Sequence, residues 1–596
     1  MEMSGAGAGG VPTKLEHDDA AAVAAEREPC GGGAPRREEK ERWRRVLVVG
    51  CLVALLLFAF FVLGRESASE VLQIASSKLS AMNGGFTTKN PSHGGGAAKH
   101  ADELLGGLLA PGMDRRSCRS RYQAAHYYKH FPYAPSPHLL DKLRAYEARH
   151  RRCAPGTPLY NRSVEQLRSG RSAGGVECNY VVWLPFDGLG NRMLSMVSGF
   201  LYALLTDRVL LVDLPHDSSD LFCEPFPGAT WLLPPDFPVA NLFGLGPRPE
   251  QSYTTLLNKK KITAVVNNDD DPASKNATAA LPPPPAYVYL SLGYQMADKL
   301  FFCGDDQRAL AKVNWLLLYS DLYFVPSLYS VAEFNGELRR LFPAKESACH
   351  LLARYLLHPT NAVWGMVTRY YNSYLAQASR RIGVQIRMFN FASIPVDDLY
   401  NQILTCSRQE HVLPETTTDN DNDDDLATAY DSNSSNGSGG GNYTAILIAS
   451  LYPDYYERIR ATYYEHATRG RVRVGVFQPT HEERQATQRL FHNQKALAEI
   501  LLLGFSDELV TSGMSTFGYV GSRLAGVRPT ILMPAHGHRV PAPPCRRAVS
   551  MEPCNLTPPR VGEAECREMA AVVDKEDVAR HVKVCEDFDR GVKFFD

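Results

Sequence analysis

The sequence predicts an α/β protein made of two doubly wound blocks that face each other across a cleft. Three observations carry this. Residues 177–213 read as strand, glycine turn, amphipathic helix, strand. A second series of alternating strands and helices runs from residue 381 to residue 533. Both series place small or polar turns at the C-terminal ends of strands, where open α/β sheets bind ligands.

The first unit opens with a β-branched and aromatic run, 180–186, short enough for a buried strand. A turn bracketed by glycines follows, Asp187-Gly-Leu-Gly190. Met193, Leu194, Val197, Phe200, Leu201, Leu204 and Leu205 then recur at three and four residues and make one apolar helical face. Residues 208–213 form the next strand. The turn thus sits at a helix start, where N–H groups lack partners and anions bind. Gly188 and Gly190 allow close backbone approach, and Asn191 and Arg192 offer donors. The pattern is not GxGxxG, which argues against a nicotinamide dinucleotide.

The flanking sequence fills out the plan. Residues 114–375 are expected to form the first block, with the globular part starting near Asp114. Residues 287–292 and 299–303 read as strands, and 341–374 as helical with a break at His358-Pro-Thr-Asn361. Residues 267–285 have the composition of a loop insertion.

The second block, 376–540, starts with a buried strand, RIGVQIRMF, that ends near Arg387. A guanidinium there can fork two hydrogen bonds onto a phosphate, although an inter-strand ion pair would use it equally well. Strands at 444–451, 472–477, 508–511 and 529–533 alternate with helices at 454–466, 482–503 and 515–524. In TSGMSTFGYV a strand ends at Thr511 and a helix begins after Ser515. Ser515 would act as N-cap, and Ser515 and Thr516 would face the cleft, suited to a pyrophosphate or to ordinary capping. Residues 415–441 are acidic and then Asn/Ser/Gly-rich, expected to be a disordered insertion. The triplet and run at Asp269–Asp271 and Asp421–Asp425 lie in low-complexity stretches, where solvated loops are expected rather than metal sites. The tail, 541–596, is expected to wrap back under disulfides.

Topology follows from the N-terminal quarter. Residues 46–64 carry no charge over a length sufficient for a bilayer core. Six Lys and Arg residues between Arg36 and Arg45 precede them, which predicts a cytoplasmic tail of residues 1–45, disordered by composition, and a single signal anchor. Residues 65–113 read as a stem. Lys+Arg 64 against Asp+Glu 65 leaves no charge that favours nucleic acid. Of 13 cysteines, Cys30 and Cys51 precede or enter the anchor, so eleven face an oxidising compartment with open connectivity. An odd number permits a disulfide-linked dimer. Sequons at Asn161, Asn276, Asn433, Asn436, Asn442 and Asn555 all lie beyond the anchor.

With these residues on the page, the sequence resembles the plant α-1,2-fucosyltransferases of the xyloglucan fucosyltransferase type. The matching stretches are YVVWLPFDGLGNRM, LFCEPFPGATWLLPPDFP, DKLFFC, HPTNAVWGMVTRYYNSYL, IGVQIRMF, HNQKALAEILLL, TSGMSTFGYV and SMEPC. They span nearly all of 178–585 in order. The resemblance implies a GT-B-like variant of two Rossmann-like domains and a single-pass type II Golgi membrane protein. It also implies GDP-fucose as donor, a galactosylated cell-wall glycan or arabinogalactan as acceptor, and inverting transfer without a metal or cofactor. Assembly as a homodimer or with other Golgi glycosyltransferases is compatible with it. The matched positions make Arg387, with Ser515, Thr516, Phe517, Gly518, Tyr519, Gly190, Asn191 and Arg192, the donor-binding set, Asn191 and Arg192 lining the cleft on the acceptor side or touching the donor. Phe517 and Tyr519 would pack near guanosine or support the turn. Asp298 and Asp187 are the carboxylates offered as general base. Two departures stand out: the family commonly carries a His/Asp-rich run where 293–297 reads GYQMA, leaving only Asp298, and Met514 replaces a frequent aromatic. A non-catalytic Golgi scaffold or glycan-binding protein on the same fold is the alternative reading.

Overall fold

A computed structural model of the chain describes residues 102–245, 249–262, 283–294, 298–417, 442–559 and 581–596. The chain divides into residues 1–98, none of them described, and 99–596. The expected tail, membrane anchor and most of the stem therefore lie outside the described residues. So do Asn276, Asn433, Asn436, the two acidic runs, 295–297 and the insertion from 418 onward.

The first block is a four-stranded parallel sheet. Its strands are β1 (Tyr180–Leu184), β2 (Val209–Val212), β3 (Tyr287–Ser291) and β4 (Trp315–Tyr319), in the order β2-β1-β4-β3. Side chains alternate across it: Val181, Trp183, Leu316 and Leu318 face the central core, and Tyr180, Val182, Trp315 and Leu317 face an outer one. Both faces are covered, so the strands read as unbroken apolar runs. Helix α1 (Pro137–Cys153) starts at Ser136, whose side chain accepts from Leu139 N–H, with proline in its first turn.

The crossover helix α2 (Leu189–Leu205) is the spine of the molecule. All but two of its residues, Asn191 and Leu205, are buried, as expected of a helix packed on every side. One side lies on the first sheet; the other meets α3 (Ala348–Leu356) and helices of the second block. α4 (Asn361–Tyr370) follows after the expected break at His358.

The second block is a six-stranded sheet in the order β10-β9-β8-β5-β6-β7. It comprises β5 (Arg380–Ile386), β6 (Tyr443–Ser450), β7 (Arg473–Phe477), β8 (Glu508–Ser512), β9 (Thr530–Leu532) and β10 (Cys545–Arg547). All pairings are parallel except β10 on β9. Helices α5 (Val396–Glu410) and α6 (Asp454–Glu465) cover one face, and α7 (Leu490–Leu503) and α8 (Thr516–Ala525) the other. α7 and α8 pack against α4, α3 and α2, so one hydrophobic core runs unbroken between the two sheets. The blocks are two by sheet topology but share a core.

Several expectations need correction. Residues 299–303 are not a strand: Lys299–Phe302 form a 3-10 turn that buries Phe301 and Phe302, and so short an apolar run carries no readable period. The helix expected from 482 begins only at Leu490, because 482–489 form a loop that enters the cleft. The stem does not extend to 113, since Leu108 and Leu109 are 1% and 0% exposed in the central core. The strand β4 escaped the sequence reading altogether.

Disulfides join Cys118–Cys223, Cys153–Cys178, Cys406–Cys545 and Cys554–Cys585, and Cys303 is disulfide-bonded as well. Among the described residues Cys349 is the free thiol, and it is buried, so it does not offer the inter-chain bridge that the odd count allowed. The tail does wrap back, through β11 (Val582–Val584) and β12 (Val592–Phe594). Of the described sequons, Asn161 and Asn442 are exposed. Asn555 is fully buried, donating through Nδ2 to Ser327 Oγ at 2.7 Å, and a folded chain has no room for a glycan there. Mass spectrometry of the glycosidase-treated protein is expected to find no deamidation mark at Asn555.

Candidate active site

Strand ends of both sheets line one cavity, and in the second sheet they do so where the strand order reverses. In the second sheet the reversal lies between β5 and β8, where Arg387 N–H donates to Ser512 Oγ at 2.9 Å. In the first, β1 and β4 lie side by side, and their C-terminal ends lead into Asp187 and Asp321. Crevices at such points are where doubly wound sheets bind ligands. The cavity between them measures about 440 Å³, within the usual range for a small-molecule site.

Two helix starts converge on it. The N-caps of α2 and α8 are Gly188 and Ser515, and neither makes a side-chain capping bond. Ser515 thus stands at the expected position without the expected cap, and the first N–H groups of both helices remain available to an anion. The starts are pressed together. A Cβ on Gly190 would lie 2.7 Å from Thr516 Oγ1 and 2.9 Å from Phe517 N, so glycine there serves the approach of two helices. Thr516 Oγ1 donates to Asn191 Oδ1 at 2.5 Å, and Asn191 Nδ2 donates to Asp187 Oδ2 at 2.8 Å. Asp187 itself is held at φ +60°. From the tail, Asp587 Oδ2 accepts from Met514 N–H at 2.7 Å and from Tyr519 OH at 2.6 Å. Met514 also has a left-handed backbone, φ +60°, so the turn into α8 is held by a residue far away in sequence.

The charges complete the site. Arg387 is half-buried; its Nη2 donates to Gln485 Oε1 at 2.8 Å and its guanidinium lies 5.6 Å from the Phe389 ring centre. Across the cavity, Asp321 is 6% exposed and its Oδ1 accepts from Tyr294 N–H at 3.0 Å. Burial, with the charge of Asp187 adding to it, pushes the Asp321 carboxyl up to about 6. Glu499 on α7 also lines the cavity and accepts from Thr480 Oγ1 at 2.5 Å; burial pushes it up to about 8. A cation and the uncapped start of α8 on one wall, facing a carboxylate poised near neutrality on the other, suit displacement of a phosphate leaving group by a hydroxyl.

The family model for xyloglucan fucosyltransferases matches residues 77–567. The chain belongs to the xyloglucan fucosyltransferase family. It is 43% identical over 550 residues to a galactoside 2-alpha-L-fucosyltransferase of Pisum sativum, covering 92% of this chain and 91% of the relative. A galactoside 2-alpha-L-fucosyltransferase of Arabidopsis thaliana is 43% identical, with 83% of each chain covered. The fold matches that of a point mutant of Arabidopsis thaliana FUT1 in complex with GDP, with a TM-score of 0.70 and 43% identity. That match covers 83% of this chain and all of the other.

Within this family member, the structure sorts the expected site residues. Arg387, Asp187, Gly190, Asn191, Ser515, Thr516 and Phe517 line the cavity. Four others do not. Asp298 is fully buried, its carboxylate accepting from Thr254 N–H (2.8 Å), Thr254 Oγ1 (2.7 Å) and Ser291 N–H (2.7 Å). It braces the end of β3 and cannot reach a substrate. Arg192 is spent inside the fold, with Nη1 2.6 Å from Asp217 Oδ2 and Nε donating to Asp187 O at 2.8 Å. It holds the turn that carries Asp187. Gly518 packs α8 on the sheet, since a Cβ would lie 2.7 Å from Gln385 Oε1. Tyr519 is buried against Asp587, which leaves it supporting the turn. Asp321 is the carboxylate that sequence reading missed; the run WLLLYSD, a buried strand ending in a polar pair, was the available signal. Among the described residues, the one cluster with metal-ligand spacing is Cys554, Cys585 and Asp587, and its two sulfurs are bonded to each other.

Proposed function

We propose that this protein transfers L-fucose from GDP-fucose to O2 of a galactosyl residue on a cell-wall glycan, inverting the anomeric centre in one displacement. The observation that carries the reading is the meeting of Arg387 and Asp321 on facing strand ends of one cavity, in a chain of this family. The acceptor O2 attacks the anomeric carbon while the bond from that carbon to the β-phosphate oxygen breaks. Asp321 takes the hydroxyl proton and GDP leaves. Negative charge grows on the β-phosphate, where Arg387 and the start of α8 stabilise it. These groups supply the positive charge that a divalent cation would otherwise bring, which supports transfer independent of metal. The apolar run at 46–64, the sequons and the disulfides support a single-pass Golgi membrane protein with its catalytic part in the lumen.

The test uses the full-length chain with GDP-fucose, galactosylated xyloglucan oligosaccharides and arabinogalactan glycans, with chelator present. Fucose on a galactose O2, undiminished by chelator, is the expected result. Transfer that ceases with chelator and returns with a divalent cation would overturn the metal-independent step; absence of transfer to every acceptor would overturn the activity. Gly190→Ala is expected to lower kcat about a hundredfold, the scale of an ångström-level misplacement of catalytic groups, because its methyl group must push the α8 start out of place. A kcat close to wild type would show that the helix contact does not set the geometry.

A further inference from the structure

Two of the most exposed large apolar side chains among the described residues stand at the mouth of this cavity. Tyr294 is 59% exposed and Phe391 is 69% exposed, and both line it. Each sits beside one of the two charges. The backbone N–H of Tyr294 donates to Asp321 Oδ1 at 3.0 Å, so the ring is carried next to the carboxylate. Phe391 stacks on Phe389, with centroids 5.1 Å apart and planes 23° apart, and Phe389 in turn lies 5.6 Å from the Arg387 guanidinium. Rings left in water at the rim of a cavity mark a binding surface. A sugar ring matches them, because its C–H faces are apolar and its hydroxyl rim is not, and the electron-rich face of an aromatic ring attracts those hydrogens.

We propose that Tyr294 and Phe391 are the acceptor platform, gripping an oligosaccharide by stacking on sugar rings around the residue that receives fucose. The proposal rests on the fucosyltransferase reading above and names the part of the site that selects the acceptor. Tyr294 decides the ligand class: it belongs to the wall that holds Asp321, where the acceptor hydroxyl must give up its proton, so its partner is the glycan rather than the guanine base. The stacked Phe389–Phe391 pair extends the same surface on the facing wall. A chain of several sugars presents several ring faces to this surface, whereas a single galactoside presents one.

The experiment compares wild type with Tyr294→Ala and Phe391→Ala in the full-length chain. The KM for a galactosylated xyloglucan oligosaccharide is expected to rise about tenfold in each, the scale of one lost aromatic stack. The KM for methyl β-galactoside should change far less, and the Kd for GDP by less than about twofold. Tyr294→Phe and Phe391→Trp keep a ring and should keep the oligosaccharide KM, which a merely folding-related defect would not predict. An unchanged oligosaccharide KM in both alanine variants, or a weakened Kd for GDP in its place, would overturn the platform. If the wild type transfers no fucose, the activity fails on its own account. The platform is then read by saturation transfer from protein aromatic protons to the sugar C–H protons, and its absence in wild type overturns the proposal.

Discussion

Arg387→Ala is expected to lower kcat by a hundredfold to a thousandfold while the protein stays folded. The size follows from the role proposed for the side chain: a pre-organised donor aimed at charge that develops on a leaving oxygen contributes about 3–4 kcal/mol to the barrier. The fold should tolerate the change. The side chain is half-buried, its one side-chain hydrogen bond is to the carboxamide of Gln485, and the backbone N–H that holds it to Ser512 remains. Burial lowers the guanidinium pKa. Arg387→Lys restores a charge without the planar fork, so it should recover only part of the loss. Steady-state kinetics beside a thermal melt checks this, and turnover within a few-fold of wild type would remove Arg387 from the leaving-group role.

Asp321→Asn should lower kcat/KM by about a hundredfold to ten-thousandfold, the range for loss of a general base. Asparagine keeps the size and still accepts from Tyr294 N–H, so positioning survives while proton uptake does not. The pH profile gives an independent reading. Burial raises this carboxyl to about 6, and the base works ionised, so wild-type kcat/KM should fall as pH drops through about 6 and level off above it. The titration of Asp321 itself does not unfold the protein over that limb. A carboxyl raised in the folded state is favoured there when protonated, so its own contribution to stability grows as pH falls from about 6 toward the ordinary carboxylate value. Asp187→Asn removes a nearby negative charge and should move the limb to lower pH. A profile whose acid limb persists in Asp321→Asn would place the base elsewhere.

Much of this architecture was legible in residue order. Periodicity and glycine placement located β1, α2, β2 and nearly every strand of the second block, because buried parallel strands and packed helices impose local patterns. Arg387 and the Ser515-Thr516 turn were visible for the same reason, each lying directly after a strand whose end faces the cleft. Other features had no local signature. The role of Gly190 depends on a helix more than 300 residues away in sequence, which presses Thr516 against it. The Asp298 environment is made by Thr254 and Ser291 from separate segments, so its burial could not be read from the run DKLFFC. Arg192 looked like a cleft donor until Asp217 closed on it.

By itself, then, the sequence determined the fold class, the family and the cation at the cleft end of β5, since each is written in contiguous stretches that fold locally. Only the tertiary structure decided which carboxylate faces that cation. Asp298 and Asp321 both follow buried apolar segments, and only the strand order β2-β1-β4-β3 sets the end of β4 beside that of β1. A carboxyl acquires its pKa from what is packed around it, and that packing exists only once both sheets have closed on one core.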